Sequence, residues 1–227
     1  MSEELPKPIS KELVITSADK EIQIALLEDK KLVEIHKEKS IDQFAVGDIY
    51  IGVVKKINSS GMNAAFVNIG SERDAFLHYL DLGNHARTMN EFVNQVITSN
   101  KKSISNFPYQ PEIPKIGKIN EVLTTGQKIL VQVAKEPIST KGATVTTEIS
   151  LAGRYLVLVP FMDKVSVSQK IKSSAERRRL KNLVQAIRPK KCGIIIRTVA
   201  NGKNLDEITK DLNQLVEKWK LIIEKLP

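Results

Sequence analysis

The 227-residue chain has a single cysteine, Cys192, which excludes an internal disulfide and any CxxC zinc site. It also lacks an apolar run approaching the roughly 18 residues that a membrane-spanning helix needs. Its first residues, Met1-Ser2-Glu3-Glu4, are acidic and polar and do not resemble a secretory leader. His36, His78 and His85 are scattered and match no metal spacing. There is no nucleophile–base pair, no phosphate-loop pattern and no clustered pair of acids of the kind that holds Mg²⁺. Neither an internal repeat nor a low-complexity tract is present. These absences leave no catalytic centre in view, and they lead to the expectation of a soluble, cytoplasmic protein.

What the chain has in excess is positive charge: 35 Lys and Arg against 26 Asp and Glu, a net charge of +9. Such a balance favours a polyanionic partner over a neutral small molecule. The excess peaks between Lys164 and Arg197, where eleven Lys or Arg accompany one acid, Glu176. An anionic membrane surface is the weaker alternative partner, because no strongly apolar helix face adjoins this patch.

Hydrophobic patterning divides the chain in three. Residues 1–12 are charged, carry Pro6 and Pro8, and are expected to fray. From Leu13 three alternating segments, joined by polar turns such as Ser17-Ala18-Asp19-Lys20, predict a meander that needs a partner layer. From Gly47, strand patterns over 49–54, 64–69, 74–77, 126–134 and 144–149 predict a five-stranded barrel of the OB kind. Gly52 suggests a bulge or tight curvature in the first of these strands. Residues 83–125 read as a long mobile surface insertion, with one or two helical turns near Glu91–Val96. The last third predicts strand–helix–strand–helix, an α/β unit. Its helices would open at Ser173 with Glu176, a capping-box pattern, and at Asn204 with Glu207. The expected domains are therefore 1–44, 45–147 and 148–227, in a mixed α/β fold.

Several residues could carry chemistry. Phe66 and Phe76 lie in barrel strands near Lys55, Lys56 and Arg73. On an outer face they would stack on unpaired bases; facing inward they would be core, the commoner fate of a strand phenylalanine. Arg197 and Thr198 end an apolar strand and could grip a phosphate through a planar fork and a hydroxyl, or simply cap the strand. Gly153 permits close backbone approach, either to a phosphate or as a plain turn residue. The run Arg177-Arg178-Arg179 is a solvated helix face that could also follow a phosphate backbone.

Three stretches carry a more specific signal: "DIYIGVVKKINSSGMNAAFVNIGSERDAFLHYLDL", "KGATVTTEISLAGRYLVLVP" from Lys141, and "GIIIRTVANGK" from Gly193, followed by a helix ending in "KWK". Together they resemble the N-terminal part of the bacterial ribonuclease E/G endoribonucleases, in that family's order and from about Leu13 onward. The resemblance implies that Phe66, Phe76 and Lys141 contact RNA. It implies that Gly153, Val157, Arg197 and Thr198 bind the 5′-monophosphate of single-stranded RNA. Residues 13–44 resemble the first piece of a split RNase-H-like domain, and residues 148–227 a 5′-sensor subdomain. The family's catalytic domain, with its Mg²⁺-binding aspartates and zinc-linking cysteines, would lie beyond Pro227, so neither a catalytic residue nor a metal-linked oligomer is expected within this chain. Two departures stand out: Ser168-Gln169-Lys170-Ile171 replaces a Ser-Arg-Arg-Ile stretch, and the 83–125 segment is long. The expectation is an RNA-binding, 5′-end-sensing half of an endoribonuclease of RNA processing and decay. A non-catalytic OB-fold RNA adaptor without 5′ preference is the alternative, and an OB-fold protein-interaction domain with an incidental basic face a third.

Overall fold

The computed structural model describes residues 9–18, 21–39, 44–99 and 102–226. Most of the expected fraying segment, residues 1–8, and Asp19-Lys20 of the expected turn lie outside these residues. Two compact units are formed, by residues 1–43 and 44–227.

The first unit is an antiparallel meander of β1 (Lys11–Ala18), β2 (Glu21–Glu28) and β3 (Lys31–Lys39). Leu13, Ile15, Leu32, Val33 and Ile35 remain largely exposed, so the three strands enclose no core of their own.

The second unit is mixed α/β, and its first part is a closed barrel of β4 (Ile49–Asn58), β5 (Ala64–Asn68), β6 (Ala75–His78), β7 (Lys128–Lys135) and β8 (Thr144–Thr146). A parallel pairing of Phe76 with Thr144 closes it. The two-residue period of a strand puts Ala65, Val67, Ala75, Leu77, Ile129, Val131 and Val133 inside, each essentially fully buried. The irregularity in β4 falls between Val54 and Lys56 rather than at Gly52. Gly52 serves close packing instead: a β-carbon there would collide with Val67 on the neighbouring strand β5.

The second part is a four-stranded sheet in the order β11-β12-β10-β9. It comprises β9 (Leu151–Ala152), β10 (Leu156–Pro160), β11 (Val165–Val167) and β12 (Cys192–Ile196). Helices α2 (Ser174–Ile187) and α3 (Leu205–Glu224) pack on it. Leu180 and Val184 of α2 and Ile208, Leu212, Leu215, Trp219 and Ile223 of α3 are buried, as an apolar stripe at helical spacing requires. Asn204 and Glu207 form a complete capping box on α3. On α2 only half of the expected box forms: Ser173 Oγ accepts the Glu176 N–H at 3.2 Å, while the Glu176 carboxylate turns to other donors.

The segment expected to be a mobile insertion is packed instead. Ala86–Ser99 forms a full helix, α1, which buries Met89, Phe92, Val93 and Val96. Phe92, Phe107 and Phe161 meet in edge-to-face pairs with centroids 5.2–6.0 Å apart. The rest of the segment is tied to the barrel: Tyr79 Oη donates to Pro114 O at 2.6 Å and Asn63 Nδ2 to Gly117 O at 2.9 Å.

Candidate nucleic-acid interface

Phe66 on β5 and Phe76 on β6 are direct cross-strand partners. Their chain neighbours Ala65, Val67, Ala75 and Leu77 point into the barrel, so both rings stand on its outer face, half-buried. The core interpretation of this pair therefore fails. The rings meet edge-to-face with centroids 6.0 Å apart, and the His78 ring lies 6.4 Å from Phe76, inclined by 28°. Lys56 is the cross-strand neighbour of Phe66 on the other side.

The two phenylalanines line a groove of about 810 Å³ whose rim includes Lys141, Arg73, Lys135 and Thr144. Glu72, Asp74 and Glu136 line it too. Three cations against three carboxylates make this groove nearly neutral. Its chemistry is apolar and π-faced with cations at the edge, which suits stacking of flat rings better than tracking of a charged backbone.

A second cluster forms where β9, β11 and β12 end. The Arg197 guanidinium donates to the Gly153 carbonyl at 2.5 Å, and Thr198 Oγ1 is hydrogen-bonded to Ser168 Oγ at 2.9 Å. Arg197 and Thr198 are exposed, and Arg197 has further N–H groups beyond the one that Gly153 engages. Val157, half-buried on β10, pairs with Ala152 and Ile195. The Gly153 N–H is not available to an anion, since it donates to Leu156 O at 2.8 Å. Glycine is required at 153 for another reason: a β-carbon would lie 2.7 Å from both carboxylate oxygens of Asp211.

On α2, Arg177 and Arg178 are exposed, whereas Arg179 is engaged by Glu176 at 2.7 and 2.8 Å and by the Lys203 carbonyl at 2.9 Å. That guanidinium, together with the Gly202 N–H at 2.8 Å, holds the Glu176 carboxyl down at about 2. Glu176 thereby ties the start of α2 to the turn that follows Thr198. Cys192 is buried, which pushes its thiol up to about 11 and makes it a core residue.

Sequence reasoning missed Ser168 and Asp211. Ser168 has no local signal of its own; only the parallel pairing of β11 with β12 brings it to Thr198. Asp211 did have one: it is an acid inside the apolar stripe of α3, between Ile208 and Leu212.

A small five-stranded barrel joined to an α/β sheet, with an aromatic groove on one and an arginine–hydroxyl cluster on the other, defines an OB-type protein with an appended α/β subdomain. Residues 150–227 match the Ribonuclease E/G family. The chain is 38% identical over 214 residues to Ribonuclease G of Haemophilus influenzae and 36% identical to Ribonuclease G of Escherichia coli K12. Each of those alignments takes in 94% of this chain and 40% of the relative. Similarity to Ribonuclease E of Nostoc sp. PCC 7120 is 37% over 210 residues, covering 88% of this chain and 26% of that protein. Over nearly its whole length the chain is similar to proteins of the ribonuclease E/G family, and it spans about two fifths of the length of the Ribonuclease G relatives.

Proposed function

We propose that this chain binds single-stranded RNA on the outer face of its barrel and recognises a 5′-monophosphate at the Arg197–Thr198 cluster, as the RNA-recognition part of a cytoplasmic endoribonuclease of RNA processing and decay. The observation that carries this reading is the outward-facing Phe66–Phe76 pair with Lys141 on the rim of the same groove. Unpaired bases stack on the rings, and Lys141 meets a phosphate. At the second cluster the guanidinium supplies a charged fork already held in place by Gly153 O, and the Ser168–Thr198 hydroxyl pair supplies an adjacent donor. A 5′-hydroxyl end offers this cluster no dianion. Among the described residues no group of three or more His, Cys, Asp and Glu is placed to hold a metal ion. No described helix is long and apolar enough to cross a membrane.

One binding experiment tests both halves. Fluorescence anisotropy is measured with the same single-stranded RNA carrying either a 5′-monophosphate or a 5′-hydroxyl. Phe76→Ala is expected to weaken both by the same factor, about 5- to 150-fold, as loss of one stacked base implies. Arg197→Gln is expected to weaken the monophosphorylated RNA selectively. Equal losses on both RNAs for Arg197→Gln would leave an RNA adaptor without 5′ preference. No loss for Phe76→Ala would remove the barrel face from the interface.

A further inference from the structure

The guanidinium of Arg197 is held by one backbone carbonyl, that of Gly153, so whatever fixes that carbonyl fixes the arginine. That carbonyl lies in the turn between β9 and β10. The turn is held from α3, where the Asp211 carboxylate accepts three consecutive backbone N–H groups: Arg154 at 3.0 Å on Oδ1, and Tyr155 and Leu156, each at 2.9 Å, on Oδ2. Asp211 is 7% exposed, and no salt bridge to it occurs among the described residues. The three amides compensate its buried charge.

The geometry of the peptide unit joins this carboxylate to the arginine. In a trans peptide the N–H and C=O of one plane point in opposite directions. The plane between Gly153 and Arg154 has its N–H on Asp211, so its C=O is turned away, and it is this C=O that accepts from Arg197. Gly153 completes the arrangement, because any β-carbon there would meet the Asp211 oxygens at 2.7 Å. One turn earlier on the same helix face, Glu207 Oε1 accepts from Tyr155 Oη at 3.2 Å and from Lys203 Nζ at 2.9 Å, a second strut on the same turn.

We infer that Asp211 is a positioning residue for phosphate recognition: by holding the N–H of Arg154 it directs the Gly153 carbonyl that sets the Arg197 fork. This rests on the reading of Arg197 as a phosphate ligand given above, and the test separates the two. The full 227-residue chain is titrated with single-stranded RNA bearing a 5′-monophosphate or a 5′-hydroxyl, and the affinity ratio is the readout.

Asp211→Asn is nearly isosteric but points an amide N–H₂ at the backbone donors. It is expected to cut the preference for the 5′-monophosphate by at least about fivefold, as loss of a well-placed charged hydrogen bond implies, while leaving affinity for the 5′-hydroxyl RNA within about twofold. In the Arg197→Gln background the same change should cost no further preference. A lowered melting temperature with the preference intact would make Asp211 a merely structural residue and overturn the inference. Additive losses in the double variant would do the same. If Asp211→Asn does not fold, Asp211→Glu decides: it keeps the charge but displaces the turn by one methylene, and full retention of the preference overturns the inference. An Arg197→Gln variant with unchanged preference would instead refute the phosphate reading itself.

Discussion

At the scale of single residues, the informative positions are those whose side chain contradicts its surroundings. A phenylalanine in a barrel strand belongs inside by composition, yet Phe66 and Phe76 face out because their alanine, valine and leucine neighbours take the interior. The alternation was readable in the sequence, but the face it assigns depends on which neighbours the barrel closes over. Glu176 is a similar case, the one acid in a basic stretch. Its folded value near 2 lies below the ordinary carboxylate value of 4.5, so the ionised form is favoured by folding. The stability this confers is complete above about pH 4.5 and is lost as pH falls towards 2. Urea midpoints of wild type and Glu176→Gln should therefore differ at pH 7 and converge near pH 2. A gap that is constant with pH would assign the effect to packing rather than to ionisation.

At the scale of elements, α2 and α3 were the most legible, because Ser173, Asn204 and Pro189 bracket apolar residues at helical spacing. The first helix was not. Met89, Phe92, Val93 and Val96 repeat at the right interval, but they sit in a stretch of Asn, Thr, Ser and Gln. Its stability comes from tertiary packing, which local propensity does not display. Phe92 is fully buried against Phe107 and Phe161. Phe92→Ala is expected to lower the free energy of unfolding by about 3–5 kcal/mol, the usual loss for a buried aromatic ring. Chemical denaturation would measure it, and a loss under about 1 kcal/mol would return residues 86–99 to the status of a loose arm. Lys102 Nζ donates to the Glu224 carbonyl at 3.2 Å, and Lys191 Nζ to the Phe107 carbonyl, so the segment is pinned to the end of α3 and to the start of β12 as well.

At the scale of the whole second unit, the barrel was visible from turn residues and alternation, and the α/β order from helix periodicity. Two features were not: the parallel closure of β6 on β8, and the sharing of β7 between two cores. Both depend on contacts between residues far apart in sequence. On β7, Ile129, Val131 and Val133 face the barrel core, whereas Leu130 belongs to the core that contains α1, α2, α3 and the four-stranded sheet. One strand is thus a wall common to both compartments, and α1 packs against its outer side. Gln132, also on that side, donates to the carbonyls of Gly47 and Ser150 at 2.9 Å each and accepts the Ser150 N–H at 2.9 Å, linking the barrel entry to the start of β9. A shared wall leaves no hinge between the aromatic groove and the arginine cluster. If one RNA strand occupies both, the spacing between its first phosphate and its stacked bases is set by the protein, and the unit acts as a ruler: oligonucleotides too short to reach from one site to the other would gain nothing from carrying the phosphate.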